Sequence, residues 1–294
     1  YAIRRYEQAA ALLPMRWQRL ARQLPDWQKA RAEELRLRAG RAMTVLVPEG
    51  EVSVSGETPQ AVVTQTDLEQ LCDSVTGYSR YAAADTTYSG PYVQEVIATA
   101  LSVGESNACM RKIVAAPTAG ACGVLPAVLV PLYQMGRATE EEILQALYTA
   151  SGIGAVVSFR ACIAGASGGC QAEIGTASAM AAGALTSLRG GDPQQIGHAA
   201  AMALKNLMGL VCDPVAGLVE VPCVKRNVVG SVNAVSCADM ALAGVESRIP
   251  VDEVIDCMGE VGRRMPMEMR ETALGGLAAT PTGKAVKERM EQQD

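Results

Sequence analysis

Three of the nine cysteines in this 294-residue chain sit where glycine and proline crowd the backbone: Cys170 in GASGGCQAEIG, Cys212 in GLVCDPVAG and Cys223 in VEVPCVKRN. Each context reads as a transition from loop to helix. Glycine beside a cysteine lets backbone N–H groups approach the sulfur, which helps offset the charge of a metal-bound thiolate. The spacing matches none of the common short zinc or ferredoxin patterns, so metal ligation and inert buried thiols both stay open on the residues alone. Cys109, Cys122, Cys162, Cys237 and Cys257 lie in helical or apolar settings and read as packing residues.

Other groups could act on a small polar substrate. The segment APTAGACG reads as a turn in which the Thr118 hydroxyl and glycine N–H groups face a carboxylate, or as a tight loop capping the next helix. Lys225, Arg226 and Asn227, directly after Cys223, offer a carboxylate site or simply a solvated helix start. His198, the only histidine, lies in QQIGHAAAMALKN and reads as a satisfied helix histidine rather than a base, so no general base is assigned. Thr282-Gly283-Lys284 lacks the glycine spacing of a phosphate-binding loop, which argues against an ATPase.

These residues need elements to position them. From Gly90 onward the sequence predicts Ala-rich helices over Val93–Val103, Gly123–Gly136, Glu140–Ala150, Ala172–Leu188, Pro193–Leu207, Val228–Val245 and Val251–Met265. With 4% aromatic residues and 28 glycines, the core must be built from small and aliphatic side chains at close backbone distance. Before Gly90 the pattern differs. Residues 5–39 read as two helices broken at Pro25, with Asp26 as a cap and Gly40 as a stop; Met43–Val54 reads as a hairpin and Thr66–Val75 as a helix. Ten basic and five acidic side chains, and both tryptophans, fall in the first 50 residues of a chain whose net charge is -5. The basic residues alternate with apolar ones, as on a solvated helix face, so neither nucleic acid nor membrane is expected as a partner. An odd cysteine count in a long chain argues against a secreted disulfide framework, and no signal-like or spanning apolar run is present, so a cytoplasmic location is expected.

The segments SGPYVQEV, AAPTAGACGVLPAVL, AGASGGCQAEIGTASAMAAG, LKNLMGLVCDPVAGLVEVPCVKRN, ADMALAGVESRIPVDEVIDCM and ETALGGLAATPTGKA resemble, in order, the alpha subunit of iron-sulfur-dependent L-serine dehydratases across residues 89–286. The resemblance implies a predominantly all-α catalytic domain around a 4Fe-4S cluster held by Cys170, Cys212 and Cys223, with Thr118, Lys225, Arg226 and Asn227 as substrate-site candidates. It also implies L-serine as substrate, no pyridoxal phosphate, and a separate beta subunit in a hetero-oligomer. That subunit supplies histidines this chain lacks; Leu204-Lys205-Asn206 stands where the single-chain form has a His-Asn pair. A cysteine desulfidase or related lyase on the same scaffold, or a non-catalytic fusion, is the alternative. ALLPMRWQRLARQL, EELRLRAGRAM and LEQLCDSVTGYSRYA instead resemble the N-terminal region of stage III sporulation protein AA over residues 5–82. The expected division is therefore a small α+β segment, 1–86, that is a fusion or joining product, followed by a helical catalytic domain, 87–294.

Overall fold

The fold is given by a computed structural model, which describes residues 2–11, 13–54, 62–64, 66–68, 71, 88–109 and 111–291. The chain divides into two compact units, Tyr1–Ala84 and Asp85–Asp294. The boundary expected at 86/87 lies outside the described residues.

The first unit contains helices α1 (Ala2–Ala10), α2 (Met15–Arg22) and the single turn α3 (Asp26–Lys29), then a three-stranded antiparallel sheet of β1 (Glu34–Arg36), β2 (Thr44–Val47) and β3 (Gly50–Ser53) in that order. The expected β2–β3 hairpin forms, with Thr44 opposite Ser53 and Val47 opposite Gly50. Two helical expectations are corrected. The first run breaks at Pro14, which precedes α2, and Pro25 rather than Asp26 occupies the cap of α3. The second run does not continue as a helix to residue 39, because Leu35 and Leu37 alternate with arginines and Glu34–Arg36 pairs with β2. Gly40, at φ 78°, turns the chain between β1 and β2 instead of stopping a helix. Trp17, Tyr6 and Ala21 pack with Met43, Val45, Val47 and Val63 in this unit's core. Of the helix expected over Thr66–Val75, residues 66–68 and 71 are described and helical; the remainder lies outside the described residues.

The second unit is helical: α4 (Pro91–Ala108), α5 (Val124–Gln134), α6 (Glu140–Arg160), the one-turn α7 (Gly165–Gly168), α8 (Thr176–Leu188), α9 (Pro193–Asn206), α10 (Cys223–Leu242), α11 (Val251–Arg264) and α12 (Pro281–Glu291). Helix α8, TASAMAAGALTSL, is buried from Thr176 to Thr186 and is packed by α5, α6, α9 and α10. Its small side chains permit this. A Cβ on Gly183 would lie 2.1 Å from Ile153 Cδ1, and one on Gly154 of α6 would lie 2.9 Å from Met180 Sδ. Polar side chains knit the same helices: Ser178 Oγ donates to the Gly230 carbonyl (2.7 Å), while Asn233 Nδ2 donates to Ser178 Oγ (2.9 Å) and to the Ala203 carbonyl (3.0 Å).

Helix α6 runs ten residues beyond the Ala150 end expected for it. At 21 residues and mean hydropathy 1.2 it is, by length and composition, able to cross a membrane. Its buried residues Ala146, Ala150, Gly154 and Val157 recur once per turn on the core face that meets α8, while Leu144, Leu147, Tyr148, Val156 and Phe159 are exposed.

A three-cysteine candidate active site

Each cysteine is placed by a different device. Ahead of Cys170, Gly169 adopts φ 74°, where a Cβ would lie 2.6 Å from Met265 Sδ and 2.9 Å from the Leu210 carbonyl, so no other residue fits. Cys170 then opens a π-helical segment, Gln171–Gly175, that runs directly into α8. Gln171 anchors the segment: its Nε2 donates to the Met258 carbonyl (3.1 Å) and its Oε1 accepts the Gly209 N–H (2.8 Å). Cys212 is held through its main chain, donating its N–H to the Met269 carbonyl (2.8 Å) and accepting that of Glu271 at its carbonyl (2.8 Å). Cys223 is the first residue of α10. The helix expected to begin at Val228 therefore starts at the cysteine itself.

All three thiols are buried, and Cys212 and Cys223 stand close enough to Cys170 to act on its ionisation. Those two neighbours, with Arg226, hold the Cys170 thiol well below the usual thiol range, while Cys170 and burial push Cys212 and Cys223 upward. Among the described residues no three His, Cys, Asp or Glu side chains surround one point as the ligands of a single metal ion would. Arg226 is fixed beside them by Val211 O (2.7 Å) and Asp213 Oδ1 (2.8 Å), and Asp213 Oδ2 accepts the Leu277 N–H (2.8 Å). A buried set of soft thiolates with a guanidinium beside it fits an iron-sulfur cluster, whose charge is negative and whose irons prefer sulfur.

The serine dehydratase alpha chain family model matches residues 16–278. The chain belongs to that family. It is 48% identical over 237 residues to the probable L-serine dehydratase alpha chain of Bacillus subtilis, covering 81% of this chain and 77% of that one. Identity to the probable alpha chain of Latilactobacillus sakei is 54% over 200 residues, 68% of this chain and 96% of the relative. The L-serine dehydratase alpha chain of Peptoniphilus asaccharolyticus is 46% identical over 229 residues, 76% and 78% of the two chains. The family match begins inside the first compact unit.

Within this alpha-chain site the other sequence candidates separate. Asn227 is buried and wholly engaged by backbone: its Nδ2 donates to the Gly120 and Cys223 carbonyls (2.8 and 2.9 Å) and its Oδ1 accepts the Gly123 N–H (2.8 Å). Arg226 faces Cys170 and Asp213, whereas Lys225 is exposed, with its charge toward Glu105. The Thr118 hydroxyl is buried beside the Glu173 carboxyl without a well-formed hydrogen bond. His198 accepts the Ser247 N–H at Nδ1 (3.3 Å) on α9, while Lys205 donates to Ser247 Oγ (2.8 Å) and Asn206 to Asn233 Oδ1 (2.7 Å). Cys122 and Cys237 are buried and Cys162 is half-buried, as packing requires; Cys109 and Cys257 are exposed, which corrects their reading as packing residues.

Glu173 escaped the sequence reading. It sits in the π segment, 8% exposed, with its carboxyl between Gly120 of the 116–123 loop and Gly165, the first residue of α7. Burial is the main cause that raises it to about 7; the Thr118 hydroxyl and the Gly165 N–H act in the opposite direction. The available signal was a lone acid in the otherwise uncharged stretch CQAEIGTASAMAAG.

Proposed function

We propose that this chain is the catalytic alpha subunit of an L-serine dehydratase that converts L-serine to pyruvate and ammonium, with a 4Fe-4S cluster held by Cys170, Cys212 and Cys223. The observation that carries the reading is the meeting of three buried thiols from three separate segments at Cys170, next to Arg226. Family membership and the names of the relatives support serine as the substrate. Three protein ligands leave one iron of such a cluster free to act as a Lewis acid on a substrate oxygen. The chain's own residues hold the thiolates, exclude water and set the charge around them: Arg226 offsets negative charge at Cys170, Asp213 fixes Arg226, and Asn227 ties the 116–123 loop to the start of α10. The overall reaction removes a proton from Cα and hydroxide from C3; the resulting aminoacrylate tautomerises and is hydrolysed, without pyridoxal phosphate.

The alpha-chain names of the relatives support a separate beta subunit as partner, in a cytoplasmic hetero-oligomer. On this reading the partner completes the substrate pocket and supplies the base. Iron and sulfide analysis of anaerobically prepared Cys170→Ala, Cys212→Ala and Cys223→Ala tests the cluster assignment. Each is expected to lose the cluster and all pyruvate formation with the beta subunit, while Cys109→Ala keeps both. Normal iron and sulfide in all three variants would overturn it. Assays on L-serine, L-threonine and L-cysteine decide between dehydration and desulfidation.

A further inference from the structure

Glu173 is more than nine-tenths buried, yet among the described residues no lysine, arginine or histidine forms an ion pair with it. Arg226, beside the cysteines, is committed to Cys170, Asp213 and the Val211 carbonyl. Negative charge accumulates instead: Glu271 acts on both Glu173 and Cys212, and its backbone is fixed there by the bond to the Cys212 carbonyl. Two glycines let the backbone lie directly against the carboxyl. A Cβ on Gly165 would lie 2.9 Å from Glu173 Oε2 and 3.1 Å from Cys212 Sγ, and one on Gly120 would lie 3.2 Å from Oε2. The Thr118 hydroxyl, buried and without a well-formed hydrogen bond, stands beside the same carboxyl. A buried carboxylate lacking a cation is costly unless something positive arrives. The π-helical turn that carries it is a feature frequent at functional sites.

We infer that Glu173 is the anchor for the α-ammonium group of the amino-acid substrate, with Thr118 as its hydrogen-bonding neighbour. This rests on the reading of the chain as a serine-acting lyase and adds the residue that selects an amino acid over the hydroxy acid of the same length. The ammonium supplies the missing positive charge at the carboxyl, and its position beside the cysteine site presents the rest of the substrate to the thiols' neighbourhood.

The test compares L-serine with 3-hydroxypropanoate, which keeps the carboxylate and the C3 hydroxyl but lacks the ammonium. Binding to the anaerobic alpha–beta complex is followed by calorimetry, beside pyruvate formation and iron and sulfide content. Wild type is expected to prefer L-serine by at least about tenfold, as for a charge-assisted bond in a buried site. Glu173→Gln should lose most of that preference by weakening L-serine alone, with cluster content unchanged, and Glu173→Asp should keep it. Equal affinity of wild type for the two ligands overturns the inference without any variant. It is also overturned if E173Q weakens both ligands alike, if E173Q sheds iron while the preference persists, or if E173D discriminates no better than E173Q. A wild-type complex that neither binds nor dehydrates L-serine would instead overturn the functional reading beneath it.

Discussion

Asn227 shows how adjacency in sequence misleads. It stands beside Lys225 and Arg226, and the three read together as one carboxylate site. Once α10 is known to begin at Cys223, helical geometry sends successive residues about 100° apart, so the three cannot share a face. Lys225 goes to solvent, Arg226 to Cys170, and Asn227 inward to Gly120, Gly123 and Cys223. Replacing Asn227 with alanine leaves the buried Gly123 N–H unpaired and the part-buried Gly120 carbonyl without its donor, which should cost about 1–3 kcal/mol in a urea unfolding curve. The same variant should bind iron less tightly, because the carbonyl of Cys223 loses its donor; unchanged stability would remove Asn227 from the framework of the site. The cysteines were singled out by their glycine- and proline-rich settings and assigned by family likeness, since their separation along the chain matches no short motif. Glu173 was not legible, because its setting depends on two glycines that only the fold brings to its carboxyl.

At the scale of elements, starts were easier to read than ends. Thr139 and Asp192 each form a complete capping box, with Glu142 and Gln195, and the helices begin where those residues predict. The end of α6 was placed too early because SGIGAVV resembles a breaker, yet the glycine at 154 is what allows Met180 to approach. Strand β1 was read as helix because glutamate, leucine and arginine all favour helices; pairing with β2 overrides that local preference. Close backbone approach also gives a direct test. A Cβ on Gly262 of α11 would lie 2.8 Å from Gly168 Cα, a backbone atom of α7 two residues ahead of Cys170. Gly262→Ala should therefore destabilise the second unit by about 1–3 kcal/mol through overpacking and lower its iron content, both measurable on one preparation. Full stability with full iron would show that α7 yields without disturbing the cysteine.

On the scale of the whole molecule, the two compact units have separate cores, one built around Trp17 and the other around α8. The sequence signalled a change of character in charge, tryptophan content and helical pattern, but the family match starts at residue 16 and so reaches into the first unit. A chain beginning at Thr87 resolves the matter. If residues 1–86 are an attachment, it should retain cluster content and beta-dependent turnover within about twofold, since self-contained domains keep their cores when separated. Loss of both in a protein that still unfolds cooperatively would make the first unit part of the working enzyme. The far end of the chain carries a different consequence. Cys212 is pinned by the backbone of Met269 and Glu271, and Asp213 by that of Leu277. Those residues follow all three cysteines in the chain, so a growing polypeptide carries Cys170 and Cys223 before the grip on Cys212 exists. On the proposed reading, loading with iron and sulfide waits until residues 269–277 have been made, and translation that stops short of residue 269 yields a chain with the three site cysteines and no finished cradle for them.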